Sequence, residues 1–187
     1  MLLEDTYSIV RDSEITFESE LSKPYVSNET RAKIENCSIL MLPLENFRKQ
    51  APLSYNEGFR NLYFYLRDNL PQNTIDFCID KEKIEIISLH SSEFYLGKFL
   101  LDKIILPVFV NLISDYLKNK LFAKDDDIAS IDVIVADKKN ENKSKEIKIK
   151  GTPSELIDTL KDNLTIYTKD GKLKNISEEN HKIDVLS

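Results

Sequence analysis

The sequence predicts an α+β fold in which antiparallel hairpins are interleaved with three helices, at about 54–70, 93–122 and 152–163. Three observations predict it. Short alternating β-forming runs come in pairs around turn residues, as hairpins do. Between the pairs lie segments with apolar residues at helical spacing, two of them opened by capping-box patterns. Parallel β-α-β units would show single strands between helices, so paired runs point to antiparallel sheet.

Along the chain, Thr6 to Val10 and Glu14 to Glu18 flank Arg11-Asp12-Ser13 as a hairpin, and Lys23-Pro24 breaks the pattern. Ile34 to Leu42 is apolar and reads as a buried strand or short helix ending before Pro43. Ser54-x-x-Glu57 has the form of a capping box, and Phe59, Leu62, Tyr63, Leu66 and Leu70 follow on one helical face. Thr74 to Ile79 and Lys83 to Leu89 alternate around Asp80-Lys81-Glu82 as a second hairpin.

The stretch from 93 to 122 holds the most apolar segment, Phe99 to Ile113, and predicts one long apolar helix kinked near Pro107. Ile128 to Ala136 and Lys145 to Lys150 alternate as two further strands. Gly151-Thr152-Pro153-Ser154-Glu155 is a second capping box with Pro at the first helical position. Leu164 to Thr168 and Lys172 to Ile176 flank an Asp-Gly turn as a last hairpin. The charged run Lys124-Asp125-Asp126-Asp127 marks a boundary between an α+β part at 1–123 and a small ββαββ part at 128–176. A polar, flexible tail at 177–187 follows.

At 187 residues, with 41% hydrophobic and 31% charged, the chain is long enough for a core that buries roughly 70% of its unfolded surface. Its net charge is −6, and only five of its 26 basic residues are Arg, which disfavours a dedicated nucleic-acid binder. The Lys, Ile and Asn content fits the coding bias of an AT-rich bacterial genome. Cys37 and Cys78 lie in apolar runs without metal or redox spacing, so they read as structural thiols of a reducing compartment. Met1-Leu2-Leu3-Glu4-Asp5 puts acids where a signal peptide needs basic residues, which points to the cytoplasm.

Candidate chemistry is sparse. Gly58, Gly97, Gly151 and Gly171 are too scattered for a phosphate loop, and no G-x-S-x-G elbow occurs. His90 and His181 are isolated, and Asp125-Asp126-Asp127 lacks the alternate donors and Gly of a calcium loop. The sequence therefore implies no metal site and no cofactor. Asp132 with Glu146-Ile147-Lys148 on the next strand has the acid, acid-x-Lys order of PD-(D/E)xK nucleases, without the Pro that precedes the first acid there. The aromatic run Tyr63-Phe64-Tyr65 is able to stack on bases, against the acidic balance of the chain.

The apolar helix is wider in its greasy arc than a small core needs, and its Asp102, Lys103 and Asp115 disfavour a membrane span. The expected function is a non-catalytic accessory or adaptor subunit of a bacterial multi-protein assembly, with a defence or mobile-element system as the candidate setting. Another protein subunit or a second copy would bind Leu101, Ile105, Val108, Phe109 and Leu112, helped by Tyr55 and Tyr65. The alternatives are a metal-dependent nuclease or phosphodiesterase on Asp132, Glu146 and Lys148, and a membrane-surface protein.

Overall fold

The computed structural model describes residues 6–48, 51–87, 93–120, 124, 126–139 and 143–168. Nine strands and five helices are assigned among them: β1 (Tyr7–Ser13), α1 (Phe17–Leu21), α2 (Asn28–Ile34), β2 (Ile39–Leu42), β3 (Leu44–Arg48) and β4 (Ala51–Asn56) come first. Then follow α3 (Phe59–Asn69), β5 (Ile75–Phe77), β6 (Glu85–Ile87), β7 (Glu93–Asp102), α4 (Leu106–Asp115), β8 (Ile128–Ala136), β9 (Ser144–Gly151) and α5 (Pro153–Thr168). The mixed α+β class stands; the three-helix plan does not.

The largest correction falls on 93–122. This stretch is the strand β7, a 3-10 turn at Lys103–Ile105, the ten-residue α4 and a π turn at Tyr116–Lys120. Pro107 sits in the first turn of α4, where a missing N–H costs no ladder bond, so it starts a helix here instead of kinking one. β7 escapes notice because it is buried on both sides: Phe99 and Leu101 enter one core cluster and Leu100 the other. Such a strand reads as an unbroken apolar run, which periodicity cannot separate from a helix.

Six strands form one sheet in the order β1-β9-β8-β7-β2-β5. β7 and β8 pair in parallel, as do β2 and β5, and the other neighbours are antiparallel. The chain therefore does contain a β-α-β crossover, β7-α4-β8. The expected pair β8 and β9 forms, and the two stretches assigned to separate halves contribute to this one sheet. β3, β4 and β6 make a second, three-stranded sheet. The hairpin expected at 74–89 is absent, since β5 and β6 belong to different sheets.

The Ser54 pattern caps nothing: Ser54 lies in β4 opposite Leu44, and α3 begins five residues later, after Gly58. Its apolar face is as expected, with Phe59, Leu62, Leu66 and Leu70 buried. The second capping box is real. The Thr152 N–H donates to Glu155 Oε2 at 2.9 Å and the Glu155 N–H to Thr152 Oγ1 at 3.3 Å. The N-terminal hairpin is instead β1 followed by α1, and the first strand of the last hairpin, 164–168, belongs to α5. Its second strand, the tail and both histidines lie outside the described residues.

The main sheet is covered unequally. One face carries Ile39, Met41, Phe99, Leu101, Ile131, Val133, Ile147 and Ile149 into a core shared with α3, α4 and α5. The other face buries Leu40, Leu42, Leu100, Ile134 and Ala136 under α1 and α2, with Cys37 and Cys78 as free, buried thiols in that layer. Lys138 ties the layer down: its ammonium donates to the Glu35 and Cys37 carbonyls, both at 2.8 Å, where a cation suits the end of α2. Beyond the apolar end, the same face turns polar.

Candidate functional site

Two regions hold the residues singled out in sequence. The first is the polar end of the sheet face. Register places Asp132 opposite Lys148 and Ile134 opposite Glu146, so the strand alternation carries Asp132, Glu146 and Lys148 to one face. Lys98 stands across from Asp132 on the other side, from β7. The three predicted residues do come together, and two neighbours that sequence reasoning missed join them. Arg11 of β1 donates to Glu146 Oε2 at 2.6 Å, and Tyr95 of β7 donates its hydroxyl to Asp132 Oδ2 at 3.2 Å. Lys148 Nζ lies 3.8 Å from Glu146 Oε1.

Electrostatics here favour a closed network. Burial pushes the Asp132 carboxyl above its usual range, against the opposing pull of Lys148 and the Tyr95 hydrogen bond. Tyr95 is pushed well above the phenol range, chiefly by burial and then by the Asp132 charge. Glu146 is buried, and its carboxylate is already held by Arg11. A divalent cation would have to displace that guanidinium. Among the described residues no three His, Cys, Asp or Glu side chains are placed to hold a metal ion. Arg11 and Tyr95 lie 135 and 37 residues from their partners, so no local spacing announces them.

The second region is the crossover helix. Leu101 and Phe109, expected at a partner surface, are wholly buried in the chain's own core. Leu101 is on β7, and Phe109 packs against Phe99 with ring centroids 5.1 Å apart. Tyr55 is buried too, because α3 starts after it. Its ring stacks on Phe59 at 4.6 Å and its hydroxyl donates to the Met41 carbonyl at 3.0 Å. Ile105, Leu112 and Tyr65 are half-buried, the last donating a hydrogen bond to Asp115 and packing on Tyr116.

Val108 remains exposed, at 44% of its surface. Ile104, not singled out in sequence, is 70% exposed. A signal for this was present: at 100° per residue Val108 falls about 20° from Asp115 and about 60° from Asn111, on the polar side of the helix. The 104–108 step joins the 3-10 turn to α4, and residues four apart are neighbours on such a surface. No helix among the described residues is long and apolar enough to cross a membrane. In comparisons with known proteins, no family model, no curated protein and no solved structure matches the chain.

Proposed function

We propose that the chain acts as a non-catalytic accessory subunit that docks a protein partner on the outer side of the crossover helix. One observation carries this reading. Ile104 and Val108 stand exposed and four residues apart, beside half-buried Ile105 and Leu112, on a helix whose other side is core. Complete burial of a fully exposed Val or Ile is worth roughly 1.5–3 kcal/mol, and these two, already part-covered, return a share of that, which an interface adds to the half-buried residues beside them. The surround is of mixed sign, with Lys103 paired to Asp137 at 2.9 Å and Asp115 exposed, which suits protein better than an anionic lipid surface. The bacterial, cytoplasmic setting is part of the proposal and rests on composition.

The test combines mass in solution with capture from the native cell, for the natural chain, Ile104→Glu and Val108→Glu. Association of the natural chain, lost in both variants while their unfolding curves stay native, supports the reading. A monomer that captures nothing, or capture equal in all three, overturns it.

A second reading, a metal-dependent phosphodiesterase, is favoured by the convergence of Asp132, Glu146 and Lys148 on one sheet face. It ranks below the first because Arg11 already occupies Glu146. Cleavage of bis(p-nitrophenyl) phosphate that requires Mg²⁺ or Mn²⁺ and disappears in Glu146→Gln would promote it; no cleavage rejects it.

A further inference from the structure

A cleft of about 290 Å³ opens between α3, β5 and the strands β4 and β6. Its wall is a cluster of rings. Phe77 meets Tyr63, Tyr55 and Phe59 with centroids 4.4, 5.1 and 5.5 Å apart. Arg60, Arg67 and Lys81 also line it, and no carboxylate does so among the described residues. In a chain with 32 acids against 26 bases, that lining is a marked local inversion of sign. The Arg67 guanidinium lies 4.8 Å above the Phe64 ring and 5.9 Å from that of Tyr63, which holds the cation against the aromatic wall. Phe64 and Ile86, both exposed, also belong to the cleft, so its apolar side is open to solvent.

A second cleft, of about 400 Å³, shares Tyr63 and Arg67 with the first. Its character is different: Lys33, Gln72, Asn73, Thr74 and the acids Asp68 and Asp76 offer donors and acceptors instead of rings. A ligand fitting both places has a planar aromatic part, an anionic group and a hydroxylated portion between or beside them. The ring stacks on Tyr63 and Phe77, the anion meets the guanidinium where the clefts join, and hydroxyls find the polar groups beyond.

We infer that the paired clefts bind a nucleoside monophosphate, with the base on the aromatic wall and the phosphate held by Arg67 together with Arg60 or Lys81. The Arg67 pair with Asp68, 2.9 Å long and exposed on both sides, is of a kind that yields readily to an incoming anion. This goes beyond the docking reading and uses none of its residues. It also gives Tyr63 and Phe64, noted in sequence as a stacking run, a defined place. The same chemistry comes from two sources, a free nucleotide or the end of a single strand, and the test separates them.

Titration calorimetry would use adenosine 5′-monophosphate, adenosine, inorganic phosphate and an oligoadenylate of about ten nucleotides. The monophosphate should bind with a Kd below about 1 mM, with adenosine and phosphate each weaker by about tenfold or more. Arg60→Gln and Arg67→Gln together should weaken it by about tenfold while the chain still unfolds cooperatively with a Tm lower by no more than about 4 °C, since both side chains are exposed and only the Arg67 ring contacts are lost. Silence with the monophosphate at about 5 mM, or affinity unchanged in the double variant, overturns the inference. Binding of the oligonucleotide alone also overturns it, in favour of a strand.

Discussion

Gly97 backs directly onto the ring of Phe59. A Cβ added at position 97 would lie 2.3 Å from Phe59 Cε2, and the backbone there has φ +117°, at the bulge where the β7–β8 register shifts. The positive φ, with its cost of roughly 1–2 kcal/mol to other residues, and the absent side chain are thus both required. Overpacking adds about 1–3 kcal/mol. Gly97→Ala should therefore lower stability by about 3 kcal/mol in urea unfolding, and Phe59→Leu in the same chain should restore part of the loss. A neutral Gly97→Ala would refute this packing.

Neighbouring positions on α4 should behave oppositely. Phe109 is fully buried, so Phe109→Ala should cost about 3–5 kcal/mol. Val108 is not, and Val108→Glu should stay within about 0.5 kcal/mol of the natural chain. Circular-dichroism melts of the two variants read this difference directly, and equal losses would move Val108 into the core.

Asp80 anchors the start of α2 from a distance. Its Oδ1 accepts the Ser27 N–H at 2.8 Å and its Oδ2 lies 3.2 Å from Lys83 Nζ. Hydrogen bonds from Thr30 and Ser27 hold its carboxyl well below the usual carboxylate range. A folded-state pKa below the unfolded one gives stability that is present above about pH 4 and is lost as pH falls through the folded value. Asp80→Ala should lower the Tm at pH 7 and flatten the acid side of the Tm profile. An unchanged acid side would reject the linkage.

Asp132 carries the opposite sign. Burial raises its carboxyl, so the folded state holds the proton more tightly than the unfolded chain and stability falls as pH rises through the carboxylate range. Asp132→Asn keeps an oxygen for the Tyr95 hydroxyl and removes the charge. Its Tm at pH 7 should equal or exceed that of the natural chain, with a smaller decline as pH rises above the ordinary carboxylate value of about 4. A large loss at pH 7 would show that the charge itself holds the network.

Both thiols should be silent in the native protein. Burial pushes Cys37 to about 11 and Cys78 to about 12, so neither offers a thiolate at neutral pH. A colorimetric disulfide reagent should titrate no thiol in buffer and both in denaturant; rapid native labelling would contradict the packing under α1 and α2.

What was legible in the sequence is what local spacing can carry. The buried face of α3, the β8 and β9 alternation and the Thr152 cap all follow from residues within one turn or one strand. β7 was not legible because Phe99, Leu100 and Leu101 are buried on both sides of the sheet, and the adjoining Pro107 helix continues the same apolar composition. With this strand taken as helix, the parallel crossover has no first strand and Leu101 falls on a helix face; Phe109 is on a true helix, and it is the Phe99 ring of β7 that covers it. Tyr55, expected exposed at an interface, lies in the strand β4 with its ring on Phe59, a contact no local spacing carries. At the charged end, Asp132, Glu146 and Lys148 were legible as a face through alternation, whereas Arg11 and Tyr95 arrive from other strands and only tertiary pairing reveals them.

The pairing of Tyr7 with Lys150 has a consequence for synthesis. Of the six strands of this sheet β1 is made before the others and β9, its strand neighbour among the described residues, after them, so the ribosome releases an open strand edge long before β9 can close it. Arg11 waits equally long for Glu146, 135 residues downstream. Completion of this sheet therefore waits on a late, long-range closure, and in the interval β1 is exposed to pairing with other nascent chains.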